Sequence, residues 1–320
     1  MVTRNIPGQG LDRLRAYATV NVFSGSSAPS HEQLLQNVQN CDGILTMLSD
    51  HITQEVIDAA GPNLKIISNY AVGYNNIDVK YATKKSIIVT NTPDVLTDST
   101  ADLTWALIMA TARHLIEADH ITRTKEWQNW TPTFLLGVDV HHKTLGIIGL
   151  GRIGLAVAKR ALGFNMKVLY YNRTRKKEIE SQFQIEYSTF EDVLRKSDFI
   201  SIHVPLTPET QEMIGKNQFE LMKPTAILIN TSRGLIIDEK ALVQALEKSQ
   251  IRAAGLDVYQ HEPTRNTDLL KLKNVVLTPH IGSATFETRI QMADLAVDNL
   301  IYGLNQQYIK IKIVNPSILK

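Results

Sequence analysis

Short apolar runs alternate with helix-patterned stretches along the whole chain. In the first hundred residues the apolar runs lie at 42–47, 64–69 and 87–90. The segments before and between these runs, at 31–38, 53–60 and 76–84, are more polar, and their apolar residues recur at the spacing of a helix. Strands that alternate with helices are typical of parallel sheets joined by helical crossovers. The pattern therefore predicts a small α/β domain in this part of the chain.

The pattern changes near Ser99. Ser99 and Asp102 form a capping-box pattern, and apolar residues follow at helical spacing, which predicts a long helix over 99–119. From Thr144 a second series of apolar runs begins, and it continues at 167–171, 199–203, 226–230, 253–258 and near Val275. A last long helix is expected over 284–303. The second series predicts a larger α/β domain.

Together these patterns predict an α/β protein with two Rossmann-like domains, each a doubly wound parallel sheet, and an active-site cleft between them. Residues 1–98 with 285–320 would form the substrate domain, and residues 99–284 the dinucleotide-binding domain. The tail after the last long helix is too short for a domain of its own, so it is expected to return to the first one.

Composition narrows the class of protein. The 320 residues are 43% apolar and 21% charged, as in ordinary globular proteins. The net charge of +2 does not favour a nucleic-acid partner, which usually needs a strong basic excess. The sequence shows no secretory signal and no apolar run near the ~20 residues of a membrane span, so a cytoplasmic protein without a membrane partner is expected.

The residues that commonly bind metals give no metal site. Cys41 is the only cysteine, so an intrachain disulfide is impossible and a thiolate metal site lacks a second sulfur. The adjacent His141 and His142 would point to opposite sides of an extended segment, without a carboxylate cluster beside them. No metal is predicted.

A glycine-rich segment follows the first strand of the second series. Residues 144–154 read TLGIIGLGRIG, which places G-x-G-x-x-G after an apolar run and before a helical pattern. Gly149 would allow a tight turn, Gly151 the approach of backbone amides to a pyrophosphate, and Gly154 close packing of helix on strand. This context favours a dinucleotide site over an ordinary glycine-rich turn.

The end of the next predicted strand is basic where an NAD site usually has a carboxylate. It reads Asn172, Arg173, Thr174 and Arg175. The two guanidinium groups can meet a 2′-phosphate by charge-assisted hydrogen bonds, and Thr174 adds a hydroxyl. The segment therefore favours NADP(H), with NAD(H) still possible. An ordinary solvated turn is the alternative interpretation, since exposed arginines are common.

Three further strand ends could supply catalytic groups: Arg233, Glu262 and His280. Reduction of a 2-keto acid needs a cation for the carboxylate, an acid for the carbonyl oxygen, and a negative partner that keeps this acid charged. Arg233, His280 and Glu262 meet these needs in turn. Each of them alone is an ordinary residue type for a surface loop, so the prediction depends on the joint pattern.

With these segments, the sequence resembles the D-isomer-specific 2-hydroxyacid dehydrogenases over nearly its whole length, and most of all their glyoxylate, hydroxypyruvate and 2-ketogluconate reductases. Further motifs that carry the resemblance are AVGYNNID at 71–78, TDSTADL at 97–103, HVPLTP at 203–208, AILIN at 226–230 and GLDV at 255–258. The resemblance implies an enzyme that reduces a small 2-keto acid to a D-2-hydroxy acid by hydride transfer. All three substrates stay open.

The resemblance also implies roles for single residues. Val72 and Gly73 would offer backbone amides to the substrate carboxylate, which Arg233 would clamp, and Asp257 would hold the nicotinamide carboxamide. His280 would contact the substrate as proton donor. The remaining cofactor-binding positions that the resemblance implies are Arg152 and Ile153 at the pyrophosphate, together with His203, Pro205, Thr231 and Ser232.

The first residues and an aromatic stretch bear on the edge of the small domain and on assembly. Members of the family usually begin with a full apolar strand, whereas residues 1–4 keep only its end, so a shortened or missing first strand is expected. The aromatic stretch 127–134 would either reach a partner subunit's active site or pack in a dimer interface. A homodimer is expected from the resemblance alone.

Two other functions are alternatives on the same fold. One is a dinucleotide-sensing binding protein, and fold alone does not exclude it. The other is an NAD-dependent dehydrogenase of the formate or phosphite type. The chain shows no long extra tail, which favours a metabolic enzyme, and the Arg173 and Arg175 pair weighs against an oxidation that uses NAD.

Overall fold

The computed structural model describes residues 1–25 and 27–319, and the chain forms two compact units, Met1–Leu96 with Ser283–Lys320 and Thr97–Gly282. The strands are β1 (Gly43–Thr46), β2 (Ile66–Asn69), β3 (Ile88–Thr90), β4 (Thr144–Ile148), β5 (Lys167–Tyr171), β6 (Glu186–Tyr187), β7 (Phe199–Ile202), β8 (Ile227–Asn230), β9 (Ala253–Leu256) and β10 (Val275–Leu277). The α-helices are α1 (Gly10–Tyr17), α2 (His31–Asn37), α3 (Gln54–Ala60), α4 (Val79–Lys84), α5 (Thr97–Ala112), α6 (Leu115–Arg123), α7 (Arg152–Leu162), α8 (Lys177–Phe183), α9 (Phe190–Lys196), α10 (Lys216–Leu221), α11 (Glu239–Glu247), α12 (Thr267–Lys271) and α13 (Phe286–Leu304). Short 3-10 helices lie at Gly234–Ile236, Tyr308–Lys310 and Pro316–Leu319.

The unit Thr97–Gly282 is built on a parallel sheet of seven strands in the order β10-β9-β8-β7-β4-β5-β6. The order reverses at β4, which lies between β5 and β7, as in a doubly wound dinucleotide fold. Successive side chains of each strand enter different apolar layers: Ile227 and Ile229 of β8 belong to one, and Leu228 to the other. Burial on both faces explains the continuous apolar runs of the sequence. The predicted parallel α/β architecture is confirmed.

The sheet of the other unit is smaller. Strands β1, β2 and β3 pair in parallel in that order, and Val2 forms single parallel bridges to Leu45 of β1 and to Val22. Across the sheet, the order is therefore Val22, Val2, β1, β2 and β3. This is the 2-1-3-4-5 strand order of flavodoxin-like sheets, in which Val2 and Val22 stand for the first and second strands as single bridges. The expected shortening of the first strand thus takes the form of one bridged residue.

The segments after residue 283 complete this unit. Helix α13 packs closely against the sheet at Gly43, where an added Cβ would lie only 2.8 Å from Leu300 Cδ1. The Ser68 hydroxyl of β2 donates to the Ala296 carbonyl of α13 at 2.8 Å. The tail then adds Val314, whose amide donates to the Val89 carbonyl at 2.8 Å. This contact covers the edge of β3.

The helix predicted over 99–119 is wrong in its extent, because two helices replace it. Helix α5 ends at Ala112, and His114 has a left-handed φ of 52° before α6 begins. The Ala112 carbonyl, which a continuing helix would bond within itself, accepts from the Val138 amide at 2.9 Å instead. This long-range contact has no local sequence signal. No helix in the described part of the chain is long and apolar enough to cross a membrane.

Candidate active site

The three glycines of the turn from β4 into the first turn of α7 have different structural roles. Gly149 has a φ of +98°, and a Cβ there would lie 2.8 Å from the His203 carbonyl carbon, so a side chain is excluded. A Cβ at Gly154 would overlap the Gly149 carbonyl, which shows how closely α7 approaches the turn. A Cβ at Gly151 would meet no atom within 4 Å. The turn is therefore tight at both ends and open in its middle.

The open middle of this turn fits the pyrophosphate of a dinucleotide. Helix α7 begins at Arg152 with Gly151 as its N-cap, and no side chain caps it. The amides of a helix's first turn, together with the helix dipole, attract anions. Ile153 and Gly154 lie in that first turn, and Gly151 leaves the approach unobstructed. The residues present at this position thus suit an anionic cofactor.

The turn after β5 separates the two arginines. The Arg175 guanidinium makes a bidentate ion pair with Glu180, at 2.9 Å from Nε to Oε1 and 2.7 Å from Nη2 to Oε2. This pairing holds the pKa of Glu180 far below its usual value, at about 2. Asn172 donates from its amide to the Thr174 carbonyl at 2.8 Å and so shapes the turn, whereas Arg173 is exposed. Of these two arginines, Arg175 is thus held by a carboxylate, and Arg173 makes no such bidentate ion pair with any described residue.

The loop after β7 is fixed by local hydrogen bonds. His203 Nε2 lies 2.8 Å from the Ser201 hydroxyl, and burial lowers the pKa of His203 to about 3. This imidazole is therefore neutral at physiological pH. The Pro205 carbonyl accepts from Thr210 Oγ1 at 2.6 Å, and the Val204 carbonyl accepts from the Ser232 hydroxyl at 2.5 Å. The last bond joins the loops after β7 and β8.

The loop after β8 presents Arg233. The fully buried Asn230 side chain closes this loop, because its Nδ2 donates to the Arg233 carbonyl at 2.9 Å and its Oδ1 accepts from the Ser232 amide at 3.0 Å. The hydroxyls of Thr231 and Thr104 lie 2.9 Å apart and link the loop to α5. Burial lowers the pKa of Arg233, while the negative charge of Glu262 opposes that shift.

Asp257, at the end of β9, organises the loop after β10. Its Oδ1 accepts from the Thr278 hydroxyl at 2.6 Å and the Ile281 amide at 2.8 Å, and its Oδ2 accepts from the Gly282 amide at 2.8 Å. The side chain is buried, and burial raises the pKa of Asp257, although these hydrogen bonds oppose the shift. The His280 amide also donates to the Asp257 carbonyl at 2.9 Å. Asp257 therefore fixes the backbone that carries His280.

His280 and Glu262 form a close pair. His280 Nδ1 lies 2.6 Å from Glu262 Oε2, and Glu262 Oε1 accepts from the Tyr259 amide at 3.2 Å. Burial raises the pKa of Glu262, but the hydrogen bond and charge of His280 with the charge of Arg233 outweigh it, so the pKa lies below its ordinary value. The carboxylate therefore stays charged and stabilises an imidazolium. The three predicted catalytic residues thus meet in one electrostatic group.

Two supporting residues were not identified from the sequence. A Cβ at Gly234 would overlap the Tyr259 carbonyl, so only glycine lets the Arg233 loop pass against the backbone before Glu262. Glu239, buried at the start of α11, accepts from the Gln260 amide at 3.0 Å and from Asn266 Nδ2 at 2.7 Å. An acidic residue in a first helical turn is common, so the sequence alone carries no sign of this tethering role.

Val72 and Gly73 lie in the other compact unit, in the loop that follows β2, and both are half-buried. As for metals, no group of three or more His, Cys, Asp or Glu residues among 1–25 and 27–319 could hold a metal ion.

Comparisons with known proteins agree with this geometry. Residues 105–282 match the family described as "D-isomer specific 2-hydroxyacid dehydrogenase, NAD binding domain". The chain is similar to a glyoxylate reductase of Thermococcus kodakarensis, with 52% identity over 323 aligned positions that cover 100% of this chain and 96% of that protein.

Solved structures give the same result. A protein of Thermus thermophilus has a TM-score of 0.89 and 44% identity, covering 95% of this chain and 96% of that one. An NADPH-dependent glyoxylate/hydroxypyruvate reductase of Sinorhizobium meliloti, in complex with NADP and malonate, has a TM-score of 0.82 and 34% identity, covering 94% and 92%. The chain therefore belongs to the D-isomer-specific 2-hydroxyacid dehydrogenase family and is an NAD(P)-dependent oxidoreductase.

Proposed function

We propose that this protein reduces glyoxylate and hydroxypyruvate to the corresponding 2-hydroxy acids, with the D configuration where the product is chiral, with NADPH as the preferred hydride donor and His280 as the proton donor. The observation that carries the proposal is the 2.6 Å pair of His280 Nδ1 and Glu262 Oε2, with the charge of the partly buried Arg233 acting on Glu262. The names of the similar reductases from T. kodakarensis and S. meliloti support the substrate class. 2-Ketogluconate is the third substrate to assay.

The proton step follows from the His280 and Glu262 pair. When bound, NAD(P)H supplies the hydride that reduces the carbonyl carbon. His280 Nδ1 faces Glu262, so Nε2 is the nitrogen left to donate a proton to the substrate. The carbonyl oxygen takes up this proton as the C=O double bond becomes a single bond. Glu262 stays ionised, so it stabilises the imidazolium before transfer. The product gains one hydride and one proton, and His280 becomes neutral.

Arg233 binds the substrate carboxylate in this proposal. Its planar fork can make two parallel hydrogen bonds to a carboxylate, and partial burial strengthens them because less water screens the charges. The backbone amides of Val72 and Gly73 would be further donors to the carboxylate, so that the smaller unit is the substrate domain. A cation and neutral amides together suit a small anionic substrate.

The cofactor would be held along the carboxyl ends of β4, β5, β7, β8 and β9. The first turn of α7, with Arg152 and Ile153, would bind the pyrophosphate, and Arg173 the 2′-phosphate of NADP(H). Asp257 keeps acceptor capacity beyond its three protein donors, which fits the nicotinamide carboxamide. The positions that complete the proposed contacts are Asn172, Thr174, His203, Pro205, Thr231 and Ser232.

We also propose that a second copy of this chain covers α6 and the segment after it. Helix α6 has no buried residue, and large apolar side chains between 115 and 136 are exposed, with Trp130 at 78% and Ile116 at 59%. Aromatic and aliphatic side chains of this size are typical of the centre of stable interfaces.

Replacing His280 by Gln should lower kcat at least a hundredfold, because no other group then donates the proton, while the Kd for NADPH stays nearly unchanged. Glu262→Gln should also lower kcat for reduction, since a neutral amide no longer stabilises the imidazolium that donates the proton. His261→Gln, an exposed neighbour, is the control and should behave as wild type. Wild-type turnover in His280→Gln would rule out the assignment.

Arg233→Lys should raise KM for glyoxylate by about ten- to a hundredfold, because a lysine cannot copy the bidentate contact. Acetaldehyde has no carboxylate, so its kcat/KM should change little. Arg265→Lys replaces an exposed arginine beyond Glu262 and is the matched control. Equal losses for glyoxylate and acetaldehyde would contradict carboxylate recognition by Arg233.

Arg173→Ala should lower kcat/KM for NADPH by about tenfold and leave kcat/KM for NADH nearly unchanged, because only NADPH has the 2′-phosphate. Asn172→Asp should shift the preference toward NADH, because it adds an acceptor for a ribose hydroxyl and repels a 2′-phosphate. Arg175→Ala is the control, because Arg175 pairs with Glu180 and its loss should lower stability more than cofactor selectivity. A wild type that prefers NADH would refute the NADPH preference.

The double variant Ile116→Asp with Trp130→Glu should convert a homodimer into a monomer, measured by light scattering after size-exclusion chromatography. Two buried charges in an apolar interface oppose association strongly. Ile309→Asp is the control, since this equally apolar residue is 99% exposed in the other unit. A monomeric wild type, or an unchanged double variant, would exclude this interface.

A further inference from the structure

The loop that follows β2 is held from one side through its carbonyl oxygens. The Ala71 carbonyl accepts from the Thr92 amide at 2.9 Å, and the Val72 carbonyl accepts from Asn91 Nδ2 at 2.7 Å. A carbonyl oxygen can only accept, so the nitrogen of the Asn91 amide must be the atom that faces it. Two consecutive carbonyls thus point to the adjacent residues 91 and 92.

These two contacts determine where the amides of the loop point. In a planar trans peptide the N–H and the C=O lie on opposite sides of the chain. The N–H of Val72 therefore points away from Thr92, and the N–H of Gly73 points away from Asn91. Two successive amides on one side of the chain form a concave donor pair of the kind that binds anions.

A second asparagine holds the next peptide. Asn69 Nδ2 donates to the Gly73 carbonyl at 2.8 Å, and the Asn69 side chain is fully buried. Asn69 and Asn76 exchange hydrogen bonds through their side-chain amides, at 3.2 and 3.3 Å. Asn76 also donates to the Met47 carbonyl at 3.0 Å. The loop is thus fixed at its far end by buried amide groups as well.

The backbone of Asn91 is anchored in turn. Its carbonyl accepts from Asn299 Nδ2 of α13 at 3.0 Å. The residue that holds the Val72 carbonyl is thus itself anchored to a helix that packs on the sheet. In the described part of the chain, the amides of Val72 and Gly73 have no protein acceptor, and both residues keep exposed surface. The donors are oriented, and they are available to a ligand.

We infer that Asn91 and Asn69 are positioning residues, which turn the Val72 and Gly73 amides toward the substrate carboxylate without touching the substrate. Neutral amides suit this task, because a charged side chain would itself compete for the anion. The inference rests on the proposed function, in which these two backbone amides bind the carboxylate of a 2-keto acid.

Variants of the two asparagines test it. Asn91→Ala and Asn69→Ala should each raise KM for glyoxylate about tenfold or more and change kcat much less, because the ground-state carboxylate contact is lost. The Kd of oxamate, measured by its binding to the complex of the enzyme with NADPH, should rise in parallel, a readout that needs no turnover. Asn91→Asp keeps the size of the side chain but repels the Val72 carbonyl. Its deficit relative to wild type should shrink as pH falls, since a protonated carboxyl can donate again.

Asn315→Ala is the matched control. Asn315 is also a buried asparagine of this unit, and it bonds the backbone of β3 through Val89 and the neighbouring Ile87 carbonyl, without contact to the 71–74 loop. It should lower the melting temperature and leave KM and the oxamate Kd unchanged. An equal rise in KM in this control would show a general structural effect and overturn the positioning role.

The outcomes separate the two proposals. Unchanged KM and oxamate Kd in both asparagine variants, with a wild type that reduces glyoxylate, would overturn the inference and leave the proposed function standing. A wild type that binds oxamate but does not reduce glyoxylate, with weaker binding in the variants, would support the inference and overturn the proposed function. A wild type that does neither would overturn both.

Discussion

The parallel alignment of the seven strands in the larger sheet is the constraint on which its candidate site depends. Parallel strands end at the same edge, so the loops after β4, β5, β7, β8, β9 and β10 lie side by side although they are far apart in sequence. Parallel pairing requires helical crossovers that bury both faces of the sheet, and the two apolar layers provide that burial. The polar groups of the candidate site in this unit therefore lie together at one edge of a sheet whose two faces are apolar.

At this edge, each carboxylate has several partners, although Asp257 is buried and Glu262 keeps exposed surface. Asp257 accepts three hydrogen bonds, and Glu262 accepts one from the Tyr259 amide and faces His280. For Asp257 these contacts offset only part of the loss of water, so its pKa stays raised, whereas for Glu262 they outweigh it and the pKa is lowered. The same contacts fix the backbone, so electrostatic stabilisation and positioning come from the same bonds. Glu239 extends this arrangement one step further from the reacting groups.

In the smaller unit, neutral side chains and not charged ones fix the backbone of a loop. Its loop after β2 is held by asparagine side chains, which both donate and accept without carrying charge. Backbone amides that are held in this way keep their direction at every pH, because no titratable group determines it. The loop after β2 is thus oriented by neutral side chains, whereas loops of the larger unit are oriented by the carboxylates of Asp257 and Glu262.

Much of the fold and part of the site could be predicted from the sequence, because both depend on local rules. Continuous apolar runs identify buried parallel strands, and the spacing of Gly149, Gly151 and Gly154 identifies the turn into α7. The pairing of Arg233, Glu262 and His280 was predictable because strand ends of a parallel sheet meet at one edge. The break of α5 at Ala112, the pairing of Arg175 with Glu180 and the tethering by Glu239 were decided by tertiary structure. Each of these depends on which polar group comes within about 3 Å of another once the backbone is placed, and a hydrogen bond falls off too steeply with distance and angle for sequence spacing to specify it.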